Sequence, residues 1–168
     1  NISENAGEII GQISKGKIKS FEITAYGELI KLDIEPLEVA ILKGALSSIF
    51  HDVNYVNAPF LAKQRGIEIK IIKSEAPSSF TSLLKVKMTT DIETNSVSVS
   101  LIAKNIARIV KLNDYDVIIK PNEHILIVPH INQVAMVAKV ANTLCEENIN
   151  IGSMNVSQNI KGSDMSIM

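Results

Sequence analysis

The sequence predicts an α+β fold in which most of the sheet is antiparallel. Apolar residues occupy every second position in residues 84–89 and again in residues 96–101. Such clean alternation is typical of strands with one solvated face, as antiparallel sheets have. Elsewhere the apolar spacing is helical, as in residues 39–50. The pattern restarts after Pro121, which indicates two α+β units.

Composition limits the classes of protein to which the chain can belong. The 168 residues suit one medium domain or two small ones. With 17 basic and 18 acidic residues, the net charge of −1 argues against a general nucleic-acid partner. No apolar run approaches the ~18 residues of a membrane span. Cys145 is the only cysteine, so no intrachain disulfide can form, and we expect it to be buried on a helix.

The first unit combines helices and strands. A helix is predicted at residues 4–13, and a strand begins at Ile18 with a slip in its alternation near Ser20. Pro36 and Pro59 each introduce a helical segment, since proline suits a first helical turn. Residues 74–82 are predicted to be a polar loop. Further strands are predicted at residues 67–71, 84–89, 96–101, 106–112 and 117–119.

In the second unit the pattern predicts a strand, then a helix, then two further strands. Residues 121–123 form the predicted boundary. The strands are expected at residues 124–131, 149–156 and 163–168, with the helix at 134–147. This order is the first half of a ferredoxin-like split βαβ motif, truncated before its second helix. We therefore expect an exposed apolar face, and we interpret the chain, which also lacks an initiator methionine, as part of a longer protein.

Residues 11–17 resemble a phosphate loop for seven positions. The eighth position is Ile18, where the motif needs Ser or Thr to reach a magnesium ion. A helix also precedes these glycines, whereas phosphate binding requires a helix after them. The segment therefore predicts the end of a helix. No nucleophile with an adjacent base is recognisable, so we expect no catalytic centre.

Small polar side chains cluster where the second unit's first strand meets its helix. His130 and Asn132 lie there, and Asn150 lies early on the next predicted strand. A helix N-terminus attracts carboxylates, and amides can bind an amino acid. Asn132 could instead only cap the helix. Arg108 lies in a basic stretch that is either a solvated strand face or an anion site.

Residues 55–66 read Tyr-Val-Asn-Ala-Pro-Phe-Leu-Ala-Lys-Gln-Arg-Gly and resemble a segment of the long-type D-3-phosphoglycerate dehydrogenase family. Residues 39–46 and 107–110 are similar to that family too. Residues 125–155 resemble its terminal ACT domain, with Ile-Asn-Ile-Gly-Ser-Met at 149–154 as the signature strand.

The resemblance implies a parent enzyme that oxidises 3-phosphoglycerate with NAD in the first step of serine synthesis in the cytoplasm. Residues 1–16 would be a helical stub of the upstream domain, residues 17–121 the intervening, allosteric substrate-binding domain, and residues 122–168 a partial ACT domain. L-serine or a related small effector would bind at His130, Asn132 and Asn150 across a homo-oligomer interface. Arg108 and Lys120 would hold anions. This chain itself would bind no cofactor, nucleic acid or membrane.

The chain departs from the family pattern at two turns. Gln133, Val134 and Ala135 replace the usual Arg-Pro-Gly, and residues 102–105 replace a glycine-rich turn. Losing that glycine adds a Cβ where the effector would lie. Two other functions remain open: the β chain of an iron–sulfur L-serine dehydratase, and a stand-alone amino-acid-binding ACT module.

We expect this chain alone to bind no NAD and to oxidise no 3-phosphoglycerate, because it has no glycine fingerprint for a dinucleotide. Calorimetric titration of NAD into the chain tests this. Binding in the micromolar range would contradict the prediction.

Overall fold

A computed structural model describes residues 2–75, 80–103, 106–121 and 124–168. Three predicted features lie partly outside these ranges. The residues not described are 76–79 of the polar loop, 104–105 of the altered turn and 122–123 of the boundary. The helices are α1 (Ile2–Ile13), α2 (Glu35–Ser47), α3 (Ala58–Gln64) and α4 (Met136–Glu146), and a short 3₁₀ helix spans Glu28–Lys31. The strands are β1 (Ile18–Gly27), β2 (Glu68–Ser74), β3 (Ser82–Thr90), β4 (Thr94–Ala103), β5 (Ile106–Leu112), β6 (Tyr115–Ile119), β7 (Pro129–Ile131), β8 (Ser157–Gln158) and β9 (Met165–Ile167).

Six strands form one sheet in the order β2-β1-β3-β4-β5-β6. Among these strands β1 and β2 pair in parallel, and the other neighbours pair antiparallel. The pairing of β1 with β3 shifts register between Ile18 and Ser20. A β-bulge inserts one residue and reverses the alternation beyond it. The α+β class with a mostly antiparallel sheet is confirmed, as is the slip near Ser20.

Helices α1 and α2 cover the inner face of this sheet. Helix α1 packs against α2 and also contacts β3, β4 and β5. The residues they enclose are fully or almost fully buried; they include Ala6, Ile10, Phe21, Ile23, Ile41, Leu42, Leu46, Val86, Met88, Val97 and Ile109. Alternate residues of each strand supply the sheet side of the core, as the period of two requires.

The second unit contains a three-stranded sheet in the order β7-β9-β8. Both β7 and β8 run antiparallel to β9, so they are parallel to each other with β9 between them. Helix α4 connects β7 to β8 in the sequence. This arrangement is a split βαβ unit with short strands.

Two predicted strands of this unit differ from the structure. Residues 149–156 form no strand, and β8 begins only at Ser157. Residues 124–131 are a strand only at Pro129–Ile131, although Val128 and Met168 exchange backbone hydrogen bonds of 2.9 and 3.1 Å. The apolar residues at 149, 151 and 154 face a cavity rather than a sheet partner, which explains a strand-like pattern without a strand.

The second unit contacts the β6 end of the large sheet. The Ile160 N–H donates to the Asp114 carbonyl at 3.0 Å, and Lys161 forms an ion pair with Asp114 at 2.9 Å. Ile167 of β9 belongs to the buried core, and Ile125 and Ile127 pack against it. Within the described ranges, no helix has the length and apolar character needed to cross a membrane.

The contact between α1 and α2 depends on glycine. A Cβ added to Gly44 would lie 2.1 Å from the Glu4 carbonyl oxygen, and one added to Gly7 would lie 2.2 Å from the Ile41 carbonyl oxygen. These neighbours are backbone atoms of the facing helix, so they cannot move away without separating the helices.

Gly44→Ala should therefore destabilise the protein by ~2–3 kcal/mol, typical of overpacking, although alanine by itself favours a helix by about 1 kcal/mol. Urea unfolding measures the change. Gly152→Ala is the control, since no atom lies within 4 Å of its added Cβ. Equal stability of both variants would contradict a backbone contact at Gly44.

Candidate functional site

A cavity of about 500 Å³ lies between the two units. Its walls come from β6, the segment before β7, helix α4 and residues 149–155. They are mainly apolar, and they include Val117, Ile119, Val140, Leu144 and Ile151. The polar residues that line it are Lys120, His124, Asn150, Ser153 and Asn155. The cavity can therefore hold a group with an apolar body and a polar end.

The predicted effector residues lie in two places. Asn150 is exposed and lines this cavity, together with Lys120. His130 and Asn132 lie on and just after β7 and do not line it. Within one chain Asn150 therefore lines the same cavity as Lys120, whereas His130 does not line it. The predicted serine site combines residues of two subunits and stays a prediction.

His130 is the most enclosed of the three, with 8% of its surface exposed. Its Nδ1 lies 3.0 Å from the Val128 carbonyl oxygen. A carbonyl only accepts, so Nδ1 carries the proton in this contact. The Asn132 backbone N–H donates to the Asp164 carbonyl at 2.7 Å, while its side chain is exposed.

Helix α4 begins without a side-chain cap. Its N-cap is Ala135, in the left-handed region at φ 71°, and no side chain hydrogen-bonds to the cap. The capping role considered for Asn132 is therefore wrong. The first-turn N–H groups of α4 therefore lack a capping side chain, and this end of the helix carries partial positive charge.

The two predicted anion-binding residues lie on neighbouring strands. Ile109 pairs with Ile119, so Arg108 of β5 and Lys120, just after β6, flank the same pair. The Arg108 guanidinium donates to the Ala107 carbonyl at 2.8 Å. Lys120 lines the cavity and Arg108 does not. The register places the two residues next to the same pair, and the anion site stays a prediction.

Cys145 is exposed, so its predicted burial is wrong. Helix α4, which the structure describes in full, contains no fully buried residue. Its apolar stripe at Val140 and Leu144 faces the cavity instead of a closed core. The helical spacing identified the apolar side correctly, but spacing cannot show whether that side is covered.

Nothing in the sequence indicated an ionic cluster between α1, α2 and the segment before α3. The Lys43 ammonium and the Tyr55 hydroxyl both donate to the Glu4 carboxylate. Hydrogen bonds from Lys43 and then Tyr55 hold the pKa of Glu4 below its usual value, and the same bonds raise the pKa of Lys43 and of Tyr55. The cluster joins residues that are up to 51 positions apart, so only the fold reveals it. It stabilises the helix contact and resembles no catalytic set.

The chain is an α+β protein. Helices cover one mostly antiparallel sheet, and a split βαβ unit lies beside it. A family profile described as the D-3-phosphoglycerate dehydrogenase intervening domain matches residues 1–113. The chain belongs to this family. The expected resemblance is thereby confirmed.

Curated relatives extend the similarity through the second unit. A D-3-phosphoglycerate dehydrogenase of Synechocystis is 30% identical over 97% of this chain. The enzymes of the same name from Bacillus subtilis and Methanocaldococcus jannaschii are 29% and 30% identical over 99% and 97% of it. The chain spans only 30–32% of the length of these three relatives.

Ala135→Gly should stabilise the protein by about 1 kcal/mol. A left-handed residue with a Cβ costs ~1–2 kcal/mol, which glycine avoids at a smaller entropic cost. Asn148→Gly is the matched control, because Asn148 has φ 55° but asparagine tolerates this conformation. Chemical denaturation compares the two variants. An equal effect at both positions would contradict the strain assigned to Ala135.

Proposed function

We propose that the chain is the regulatory, effector-sensing and oligomerisation region of an NAD-dependent D-3-phosphoglycerate dehydrogenase, which catalyses the first step of L-serine biosynthesis in the cytoplasm. The observation that carries this proposal is the similarity to a D-3-phosphoglycerate dehydrogenase over 97% of the chain, across both units. We propose that the intervening domain comprises helix α1 as well as residues 17–121, because α1 packs against α2 and the sheet, and that residues 122–168 belong to an ACT domain.

The chemistry of oxidation is assigned to parts of the enzyme other than this chain. The described residues contain no group of three or more potential metal ligands. Of the side chains with shifted pKa values, Glu4, Lys43 and Tyr55 serve the helix contact, and burial raises the pKa of Glu38 beside Glu35. We propose NAD as a cofactor of the parent enzyme.

L-serine or a related small effector is the proposed ligand of the second unit. His130 and Asn132 of one subunit and Asn150 of another would contact it. Three features support this assignment: the buried imidazole of His130, the uncapped start of α4, and the exposed amides of Asn132 and Asn150. Arg108 and Lys120 are the proposed anion-binding residues of the intervening domain.

Self-association through the second unit is the remaining part of the proposal. Large apolar side chains are exposed there, and Val134 is 99% exposed. The others include Leu126, Ile131, Val137, Ile149, Val156 and Ile160. Monomeric proteins rarely leave contiguous apolar patches of this kind in water. A second copy of the same unit would cover them.

The test uses the full-length enzyme and calorimetric titration of L-serine. Asn150→Ala should weaken binding about five- to hundredfold, because a lost amide contact costs ~1–3 kcal/mol. Asn142→Ala, which removes an exposed amide from α4, is the control and should bind as the wild type does. Sedimentation velocity on the same samples should show an oligomer. A monomer, or equal serine affinity in all three proteins, would contradict the corresponding part of the proposal.

A further inference from the structure

Three apolar side chains of the first unit are exposed together at the start of helix α3. Tyr55 is 49% exposed, Val56 90% and Phe60 65%. The backbone is already helical just ahead of α3, because the Ala58 N–H donates to the Asn54 carbonyl at 3.0 Å. Positions four apart on a helix project from the same side, so Val56 and Phe60 are neighbours. These three residues are called the Val56 patch below.

Side-chain hydrogen bonds hold the loop that carries this patch in one conformation. The Asn54 side chain accepts from the Val56 and Asn57 N–H groups, both at 2.9 Å. The Asn57 side chain accepts from the Asn54 N–H at 2.8 Å and donates to the Asp52 carbonyl at 2.8 Å. A surface that is ordered before binding loses little conformational entropy when a partner arrives. The Val56 patch is therefore preformed for contact.

Helix α3 presents this patch on the side that faces away from the core. Ala58 and Ala62 on its inner side are fully buried, and α3 packs against α2. Lys63 and Arg65, near the end of the helix, are exposed. An apolar centre with a polar rim is the usual composition of a protein contact surface.

The Val56 patch lies beside the start of α1. The Tyr55 hydroxyl donates to the carboxylate of Glu4, which is in the first turn of α1. In the parent enzyme as proposed above, the dehydrogenase part joins the chain ahead of this helix. The three relatives are about three times as long as this chain, so the polypeptide next to the patch is a large one in those enzymes.

The small size of the patch favours a covalently linked occupant over a second copy of the chain. Three side chains cover much less than the roughly 800 Å² per partner that a stable interface between separate proteins buries. A contact within one polypeptide needs less area, because the link keeps the effective concentration of the two surfaces high.

We propose that the Val56 patch is the surface on which the dehydrogenase part of the same polypeptide docks, which rests on the function proposed above. The occupant presents an apolar surface that covers Val56 and Phe60, while the Tyr55 hydroxyl keeps its hydrogen bond to Glu4. The contact fixes the orientation of the regulatory region relative to the dehydrogenase part, which a chain connection alone does not do.

The first experiment places p-benzoyl-L-phenylalanine at position 56 of the full-length enzyme. Its benzophenone inserts into contacting C–H bonds under ultraviolet light, and mass spectrometry locates the cross-link. Position 92 is the matched control, because Ile92 is apolar and 67% exposed but lies next to Gly16, beyond the other end of α1. The 12 residues of α1 separate the two ends by about 18 Å. Position 56 should cross-link to the dehydrogenase part, and position 92 should not.

The second experiment measures tryptic cleavage after Lys63 and Arg65 in the native full-length enzyme. Docking should shield this segment, whereas Val56→Asp places an unpaired carboxylate in the contact, where it is costly to bury. Cleavage should be about tenfold faster in Val56→Asp than in the wild type, and the control Ile92→Asp should match the wild type. Val56 is almost fully exposed in this chain, so the substitution should leave the larger unit folded, as circular dichroism checks.

Cross-links from position 56 to the same patch of another subunit or to residues 122–168, or no cross-link at all, overturn the docking surface and leave the regulatory function standing. Equal cleavage rates in Val56→Asp and the wild type overturn it as well. A full-length protein that oxidises no 3-phosphoglycerate with NAD overturns both the docking surface and the proposed function.

Discussion

The close approach of α1 and α2 is the constraint on which the larger unit depends. The helices touch backbone to backbone at Gly7 and Gly44, so their axes lie closer than side chains would permit. At this separation Ile10 and Ile41 both reach the inner face of the sheet and are fully buried. The ionic cluster of Glu4, Lys43 and Tyr55 closes the solvent side of the same contact and ties in the segment before α3. A wider helix pair would open the core along its whole length.

The second unit is stabilised differently from the larger unit. It has short strands and a helix with no fully buried residue, and it is held to the larger unit by Ile167 and by the contacts of Asp114 with Ile160 and Lys161. Its apolar side chains divide between the cavity and the exposed surface. Such a unit has little core of its own, so its stability depends on what it contacts. This dependence is consistent with the proposed role of the unit in effector sensing and self-association.

Some features of the candidate site could be predicted from the sequence pattern, and others could not. The sequence placed His130 and Asn132 where a strand leads into a helix, and in the structure they lie at the end of β7 and just after it. Asn150 was expected at the same edge, but residues 149–156 form no strand, and Asn150 lines the cavity beside Lys120.

The sequence by itself determined the class of fold, the order of elements and the bulge near Ser20, because these depend on local periodicity and on breaks in it. The motif at residues 55–66 also sufficed to indicate the family. Tertiary structure decided which apolar faces are covered, as the exposure of Cys145 and the open cavity beside Leu144 show. It also decided which polar residues meet, since strand register and helix packing join positions that are far apart in the chain. Periodicity identifies the side on which a residue lies, but only the packing of the whole chain determines what lies opposite it.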